Sequence, residues 1–431
     1  KFMEKYKVNM LRKTLQHAIN FEYYKNHWSD FSNVLNNIDM LSNDELIELF
    51  NELPITNSDA LDENGIAPIT TYPICSMYHT TGSTGRPKWR YVNTHERELI
   101  SQLNSRRDNN DYNGNIKKIG LNLYGTYHSN INTNNINTAN ASYTFQCSVF
   151  EERLLASTAE LLKRKFAITS YEEQISYILA EGRLLKVLTN YLIRRKVKKE
   201  EMNVKLIVLY ACYPHKELVE YLQAYWGVKV VNSFSFSEFN NQNMIVNQSG
   251  KLLIPPLIHA EIEGDSNKSN TKDKFGRIIF TQLYPYGYTQ PLIKYFAGDI
   301  GKSVDDKGIM QIGREKLSLF KNDNNSQTLL FPSNELRDLL YFNGIKRTNE
   351  FPQLNSVVDN SILGAPMVEI LQAQDEIIIT YSPSDENPAT VETMYERYRA
   401  LCPIAFIQNN MNRVKVVFKK AKGDLKECRI P

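Results

Sequence analysis

The stretch Thr80-Thr81-Gly82-Ser83-Thr84-Gly85-Arg86-Pro87-Lys88 sets two glycines among hydroxyl side chains and ends on two cations. Glycine lets a backbone approach a ligand closely, backbone N–H groups and hydroxyls donate hydrogen bonds, and Arg86 or Lys88 offsets negative charge. Such a loop can wrap a polyphosphate if a buried strand delivers it and a helix follows. Ile74–Tyr78 reads as that strand and residues 93–106 as that helix. No Gly-Lys-Ser/Thr follows at the Walker A spacing, so this is not a P-loop of that kind. A Gly/Ser/Thr run is also a common surface turn, and the segments downstream have to decide between the two readings.

Upstream, residues 1 to about 55 carry Leu11, Leu15, Ile19 and Phe21 near a helical period, which Leu53-Pro54-Ile55 breaks. Downstream, 116–127 reads as a strand and 149–162 and 171–197 as helices. Val204–Tyr210 is an apolar strand, His215–Trp226 a helix and Val228–Val231 another strand. Strand, helix, strand in that order implies a parallel, doubly wound sheet. From Gly313 the pattern becomes a smaller α+β one, with strands at 367–372, 376–381 and 414–418 and a helix at 389–401. The expected fold class is α/β. A large N-terminal domain with doubly wound sheets is expected over 1–313, and a small α+β C-terminal domain over 314–431.

Lys and Arg number 51 against 48 Asp and Glu, a formal net charge of +3 over 431 residues. That balance argues against general nucleic-acid or anionic-membrane binding. The five cysteines, at 75, 147, 212, 402 and 428, are odd in number and form no CxxC pair. They read as free thiols of a reducing compartment, not as a disulfide framework or zinc site. No apolar run approaches the ~20 residues of a membrane span, and the start shows no secretory apolar core. The expectation is a cytoplasmic enzyme, with its oligomeric state open. The asparagine-rich stretch 130–140 reads as a polar loop.

Three further segments carry chemistry-bearing residues. Asn232-Ser233-Phe234-Ser235-Phe236-Ser237-Glu238 follows a predicted strand, where ligands of parallel sheets bind. An aromatic there can pack on a base, a hydroxyl can bond a phosphate, and a carboxylate can hold a cation. The alternation of Phe234 and Phe236 with Ser235 and Ser237 also fits a plain amphipathic strand. Pro291-Leu292-Ile293-Lys294-Tyr295-Phe296-Ala297-Gly298-Asp299-Ile300-Gly301 contains a Gly-Asp pair. A carboxylate with two acceptor oxygens suits a vicinal diol, and Gly-Asp is equally a hairpin turn. The third segment is the lysine-rich C-terminus, Lys419 to Pro431, which as a charge run reads as a solvated tail.

Taken together and in order, these segments resemble the adenylate-forming superfamily of acyl-CoA synthetases, adenylation domains and luciferases. The style is that of phenylacetate-CoA ligase and acyl-protein synthetase relatives. The glycine loop matches the family pattern Thr-Ser/Thr-Gly-Ser-Thr-Gly-x-Pro-Lys-Gly except at Trp89, Phe234 to Glu238 resembles Tyr-Gly-x-Thr-Glu, and Pro291 to Gly301 resembles Pro-x-x-Arg-Tyr-x-Thr-Gly-Asp-x-Gly. Gly313-Arg314-Glu315-Lys316 is similar to the segment that opens the mobile domain, and Phe331 to Leu336 to the helix-opening stretch beyond it. Where relatives carry Gly-Gly or Gly-Glu along the adenine, this chain reads Tyr210-Ala211-Cys212-Tyr213-Pro214.

The resemblance implies ATP-dependent activation of a carboxylic acid to an acyl-adenylate with release of pyrophosphate. Transfer follows to CoA, a carrier protein or an amine acceptor. The implied cofactors are ATP and Mg²⁺, with CoA as one acceptor. Thr80, Thr81, Gly82, Ser83, Thr84 and Gly85 would hold phosphates with Lys88. Phe234 would pack on adenine, Ser237 bond the α-phosphate and Glu238 hold Mg²⁺. Asp299 would accept both ribose hydroxyls, with Arg314 near ribose or phosphates and Lys316 as the hinge. Lys426, or Lys422 in second place, would contact the acyl carboxylate. Tyr127 and His128 fall where relatives place acyl-pocket residues. The alternative is a non-catalytic descendant that binds a nucleotide as an interaction module.

Overall fold

The structure is a computed structural model. It describes residues 5–62, 65–79, 88–99, 102, 118–123, 143–167, 171–239, 244–247, 249–263, 275–304, 308–323, 326–373, 375–423 and 425. The chain divides into two compact units. The first comprises 1–118, 126–144 and 233–311, the second 119–125, 145–232 and 312–431.

The first unit opens with helices at Lys5–Ala18, Glu22–His27, Ser32–Leu35 and Asn43–Glu52. In the last of these, the Glu45 N–H donates to Ser42 Oγ (3.3 Å) and the Ser42 N–H to Glu45 Oε2 (2.7 Å). This reciprocal cap fixes the start of the helix. Leu46, Leu49 and Phe50, at i, i+3 and i+4, turn one face into the core. The other half of the unit is a four-stranded antiparallel sheet. Its order is Ile258–Ile262, Phe275–Gln282, Tyr295–Val304 and Gly308–Arg314. Leu11, Phe50, Phe239, Ile278, Phe280 and Tyr295 belong to one buried cluster, so helices and sheet share a core.

The second unit carries the parallel sheet expected from Val204–Tyr210 and its neighbours. Ile119–Leu123 pairs with Tyr177–Glu181, which pairs with Leu206–Tyr210, which pairs with Lys229–Phe234, all parallel. One expectation fails here. Residues 171–197 are not one helix, because Tyr177–Glu181 is a strand and the helix runs only over Gly182–Arg194. Pairing on both edges overrides the helix propensity of Leu179, Ala180 and Glu181. Gly182 makes the transition. A Cβ there would lie 2.6 Å from Leu218 Cδ2, so any larger residue would have to displace the Leu218 side chain for the helix to start against its neighbour.

The helix Lys216–Trp226 is capped by His215, whose Nδ1 accepts from the Leu218 N–H. It ends at Gly227, in the left-handed region at φ 66°. The second unit also holds the strands Val368–Gln372, Glu376–Tyr381 and Lys415–Lys420 with the helices Ser333–Leu340, Val391–Leu401 and Pro403–Asn410 around a separate core. Glu335, in the first turn of the helix Ser333–Leu340, caps a different helix. Its two carboxylate oxygens accept the N–H groups of Ile404 (2.8 Å) and Ala405 (3.0 Å).

Candidate functional site

The glycine loop 80–87 lies outside the described residues, and so do Tyr127, His128 and Lys426. Its flanks are described, and they correct the expected context. Trp89–Asn93 is a strand, paired antiparallel with Ile74–His79 in the register Tyr78↔Arg90. The helical residues 94–99 begin only after it. The loop is therefore delivered by a hairpin, and strand, loop, helix is replaced by strand, loop, strand, helix. The sequence Trp-Arg-Tyr-Val-Asn explains this, since aromatic and β-branched residues at 89, 91 and 92 favour extended backbone.

A buried polar cluster locks the hairpin's second strand. The guanidinium of Arg90, buried like Glu96, lies 3.6 Å from the Glu96 carboxylate and donates to the Gln290 carbonyl. The Thr289 hydroxyl also donates to Glu96, and the Tyr91 N–H to Gln290 Oε1 (2.9 Å). Removing one member of such a cluster leaves a buried charge without its partner. Lys88, where the loop rejoins the strand, forms an ion pair with Asp62.

Glu238 sits in a short 3₁₀ turn, Ser237–Phe239, that follows the strand Lys229–Phe234. This turn packs against both strands of the glycine-loop hairpin. The strand stops at Phe234, so the simple alternation of an amphipathic strand does not apply. The Phe234 and Phe236 rings meet at 5.8 Å, and Phe234 lies 6.1 Å from Phe280. The Tyr295 hydroxyl donates to Glu238 Oε1 at 3.3 Å. That bond joins the second motif to the third, since Tyr295 opens the strand Tyr295–Val304 that carries Asp299.

The Gly-Asp pair is not a hairpin turn. In the pairing with Phe275–Gln282, Ile300 faces Arg277 and Phe296 faces Ile279, so Ala297, Gly298 and Asp299 bulge opposite Ile278. Gly298 takes φ 93°, open to glycine at little cost. The bulge re-aims Asp299, which is buried and accepts from Gln311 Nε2 at 3.2 Å.

Lys294 has a structural task that the sequence did not suggest. Its Nζ donates to the carbonyls of Phe50 (3.1 Å) and Asn51 (2.8 Å) and lies 5.5 Å from the Phe50 ring. It thus satisfies and neutralises the C-terminal end of the helix Asn43–Glu52. Burial holds its pKa below the usual lysine range.

Arg314 and Lys316 close the strand Gly308–Arg314 and enter the turn Glu315–Leu317. The Arg314 N–H donates to Ser333 Oγ at 2.9 Å, and a Cβ on Gly313 would stand 2.6 Å from that oxygen. In the second unit, Ala211 holds φ 70°. The Tyr210 hydroxyl donates to Asn122 Oδ1 (2.8 Å), and the Tyr213 hydroxyl to Asp338 Oδ2 (2.9 Å).

Among the described residues no group of three His, Cys, Asp or Glu could enclose a metal ion. Glu238 supplies one carboxylate. Mg²⁺ is commonly held by one or two carboxylates with the oxygens of substrate phosphates, and that donor set fits it. Cys75, Cys147, Cys212 and Cys402 are free thiols. No described helix is long and apolar enough to cross a membrane.

No family model and no curated protein sequence matches the chain. Solved structures do. The open conformation of 2-hydroxyisobutyryl-CoA ligase, in complex with 2-HIB-AMP and CoA, is 14% identical with a TM-score of 0.60, over 99% of this chain and 90% of that one. The same ligase in its postadenylation state with 2-HIB-AMP gives 14% and 0.61, over 99% and 88%. ATP-bound MatB from Rhodopseudomonas palustris gives 12% and 0.52, over 81% and 64%. The chain therefore has the fold of these adenylate-forming ligases.

Proposed function

We propose that this protein activates a carboxylic acid with ATP. The carboxylate oxygen attacks the α-phosphorus, a P–O bond forms, the bond to the β-phosphate breaks, and pyrophosphate leaves with an acyl-adenylate behind. The adenylate then passes its acyl group to a thiol, CoA or a carrier protein, or to an amine. The observation that carries this reading is the convergence, within one unit, of the glycine-loop hairpin, the Glu238 turn packed on it and the Asp299 strand bonded to Glu238 through Tyr295.

The reaction brings an anion to an anion, so it needs positioning and positive charge more than an acid–base pair. The loop 80–85 with Lys88 would cradle phosphates, Phe234 would pack on the adenine, and Ser237 would bond the α-phosphate. Asp299 would exchange its Gln311 partner for the ribose hydroxyls. Mg²⁺, held by Glu238 with phosphate oxygens, would supply charge neutralisation. Lys426 would meet the acyl carboxylate, and Arg314 would lie near the nucleotide on a small C-terminal lid hinged at Lys316. Tyr127 and His128 belong to the acid pocket in this reading. Acid–thiol ligation is favoured over amine transfer because the structures it resembles are CoA ligases.

Glu238→Gln keeps the shape and the Tyr295 bond but removes the charge. It should abolish the rise in melting temperature caused by ATP with Mg²⁺ while leaving the melting temperature without ligand unchanged. An undiminished rise in the variant would refute the role of Glu238.

A further inference from the structure

Arg347 in the second unit is buried, at 7% exposure, yet none of its three guanidinium nitrogens has a hydrogen-bond partner among the described residues. Five buried N–H donors without acceptors are costly, and native proteins rarely tolerate this without a bound partner. The surroundings do not supply one. The guanidinium lies 5.1 Å from the Tyr341 ring, whose neighbour at 4.8 Å is His215, the cap of the helix Lys216–Trp226. Lys186, whose Nζ donates to the Ile362 carbonyl (2.6 Å), stands close enough to oppose Arg347 electrostatically.

Of the nearby carboxylates, Glu217 attracts Arg347 and Lys186 without hydrogen-bonding the Arg347 guanidinium. Asp338 accepts from the Lys216 N–H and the Tyr213 hydroxyl, and Glu217 lies 3.7 Å from Arg397. Three cations, Arg397, Arg347 and Lys186, thus act on the one carboxylate of Glu217. The titration shifts agree: burial, and next Arg347, draw Lys186 down to about 7. Burial, then Lys186 and Arg347, hold His215 neutral, down to about 2. A cleft of 520 Å³ meets the cluster at Glu217; Glu217, Phe342, Glu386 and Thr393 line it, and Arg347 and Lys186 do not, while Arg397 stacks on Phe342 at 3.9 Å.

We propose that Arg347 and Lys186 form a binding site for a small dianionic oxyanion, a phosphate group, built from residues that the proposed ligase chemistry does not use. Two cations facing one dianion restore neutrality, and the planar fork of Arg347 gives its donors the bidentate acceptor they lack. The phosphate is either free or a monoester on a larger ligand.

Titration calorimetry at constant ionic strength tests this, with inorganic phosphate and methyl phosphate as probes. The glycine loop also invites phosphate, so Lys88→Met serves as the control. The expected result is saturable phosphate binding that Arg347→Met weakens roughly 10- to 100-fold and Lys88→Met leaves intact. Binding of inorganic phosphate alone assigns the site to the free ion, and equal binding of methyl phosphate assigns it to a phosphate group of a larger ligand. If Arg347→Met does not fold, Lys186→Met must show the same loss. No binding to the wild type overturns the proposal. So does binding that survives both cluster variants, or that is lost only in Lys88→Met.

Discussion

Lys294→Met separates a structural lysine from a ligand-binding one. The substitution keeps length and volume and deletes the ammonium that bonds the Phe50 and Asn51 carbonyls at 3.1 and 2.8 Å. Each hydrogen bond to a charged group contributes about 1.5–3 kcal/mol, and of the two abandoned carbonyls at the end of the helix Asn43–Glu52 the bond to Phe50 is buried and that to Asn51 part-buried. Part of this is returned, because the ammonium no longer has to be buried, and burial already disfavours its charged form. The net loss should be about 2–4 kcal/mol, which for a unit of this size lowers a melting temperature by roughly 4–16 °C. Urea unfolding followed by helical circular dichroism measures it, alongside ATP affinity at a temperature where the variant is folded. The expected outcome is a destabilised protein with ATP affinity within about threefold of wild type, well under the 1.4 kcal/mol of a tenfold change. Unchanged stability with a greater than tenfold loss of ATP affinity would refute the capping role and make Lys294 a ligand group.

Two further perturbations follow from the second unit. Ala211→Gly relieves a left-handed residue at φ 70° and should stabilise by about 0.5–1 kcal/mol in urea titration after the entropy of the extra glycine is subtracted; a destabilised variant would contradict the strain. Lys186 falls from 10.5 to about 7, chiefly through burial and then through Arg347, with Glu217 acting the other way. Between those values the unfolded chain binds more protons, so this residue makes stability rise with pH, by at most about 1.4 kcal/mol per unit. Lys186→Met should flatten that rise between pH 7 and 9 in phosphate-free buffer, and an unchanged slope would sink the assignment.

The candidate site could be proposed from the sequence because its residues act through local chemistry. A glycine loop, an acid after a strand and an aspartate after glycine each declare a capability from residue type and spacing alone. The strand Leu206–Tyr210, the helix Lys216–Trp226 and its parallel neighbour were readable from periodicity. What escaped depended on distant partners. Tyr177–Glu181 is a strand only because two others flank it, and its Leu-Ala-Glu reads helical in isolation. Trp89–Asn93 extends because Ile74–His79 runs beside it. The bulge that buries Asp299 requires Ile278 across the ladder. Lys294 meets carbonyls more than two hundred residues away, and the Arg347 cluster gathers residues from 186 to 397, so no short pattern announces either.

Acid activation is the central claim, and ATP–pyrophosphate exchange tests it most directly. Wild-type protein with Mg²⁺ is incubated with labelled pyrophosphate, ATP and a panel of short aliphatic, hydroxylated and aromatic carboxylic acids. Label is expected to enter ATP with at least one acid. That exchange should be lost at least a hundredfold in Lys426→Ala, while the variant melts like the wild type. No exchange with any acid, together with an unchanged melting temperature on adding ATP and Mg²⁺, would contradict acid activation and leave the chain a non-catalytic bearer of the fold.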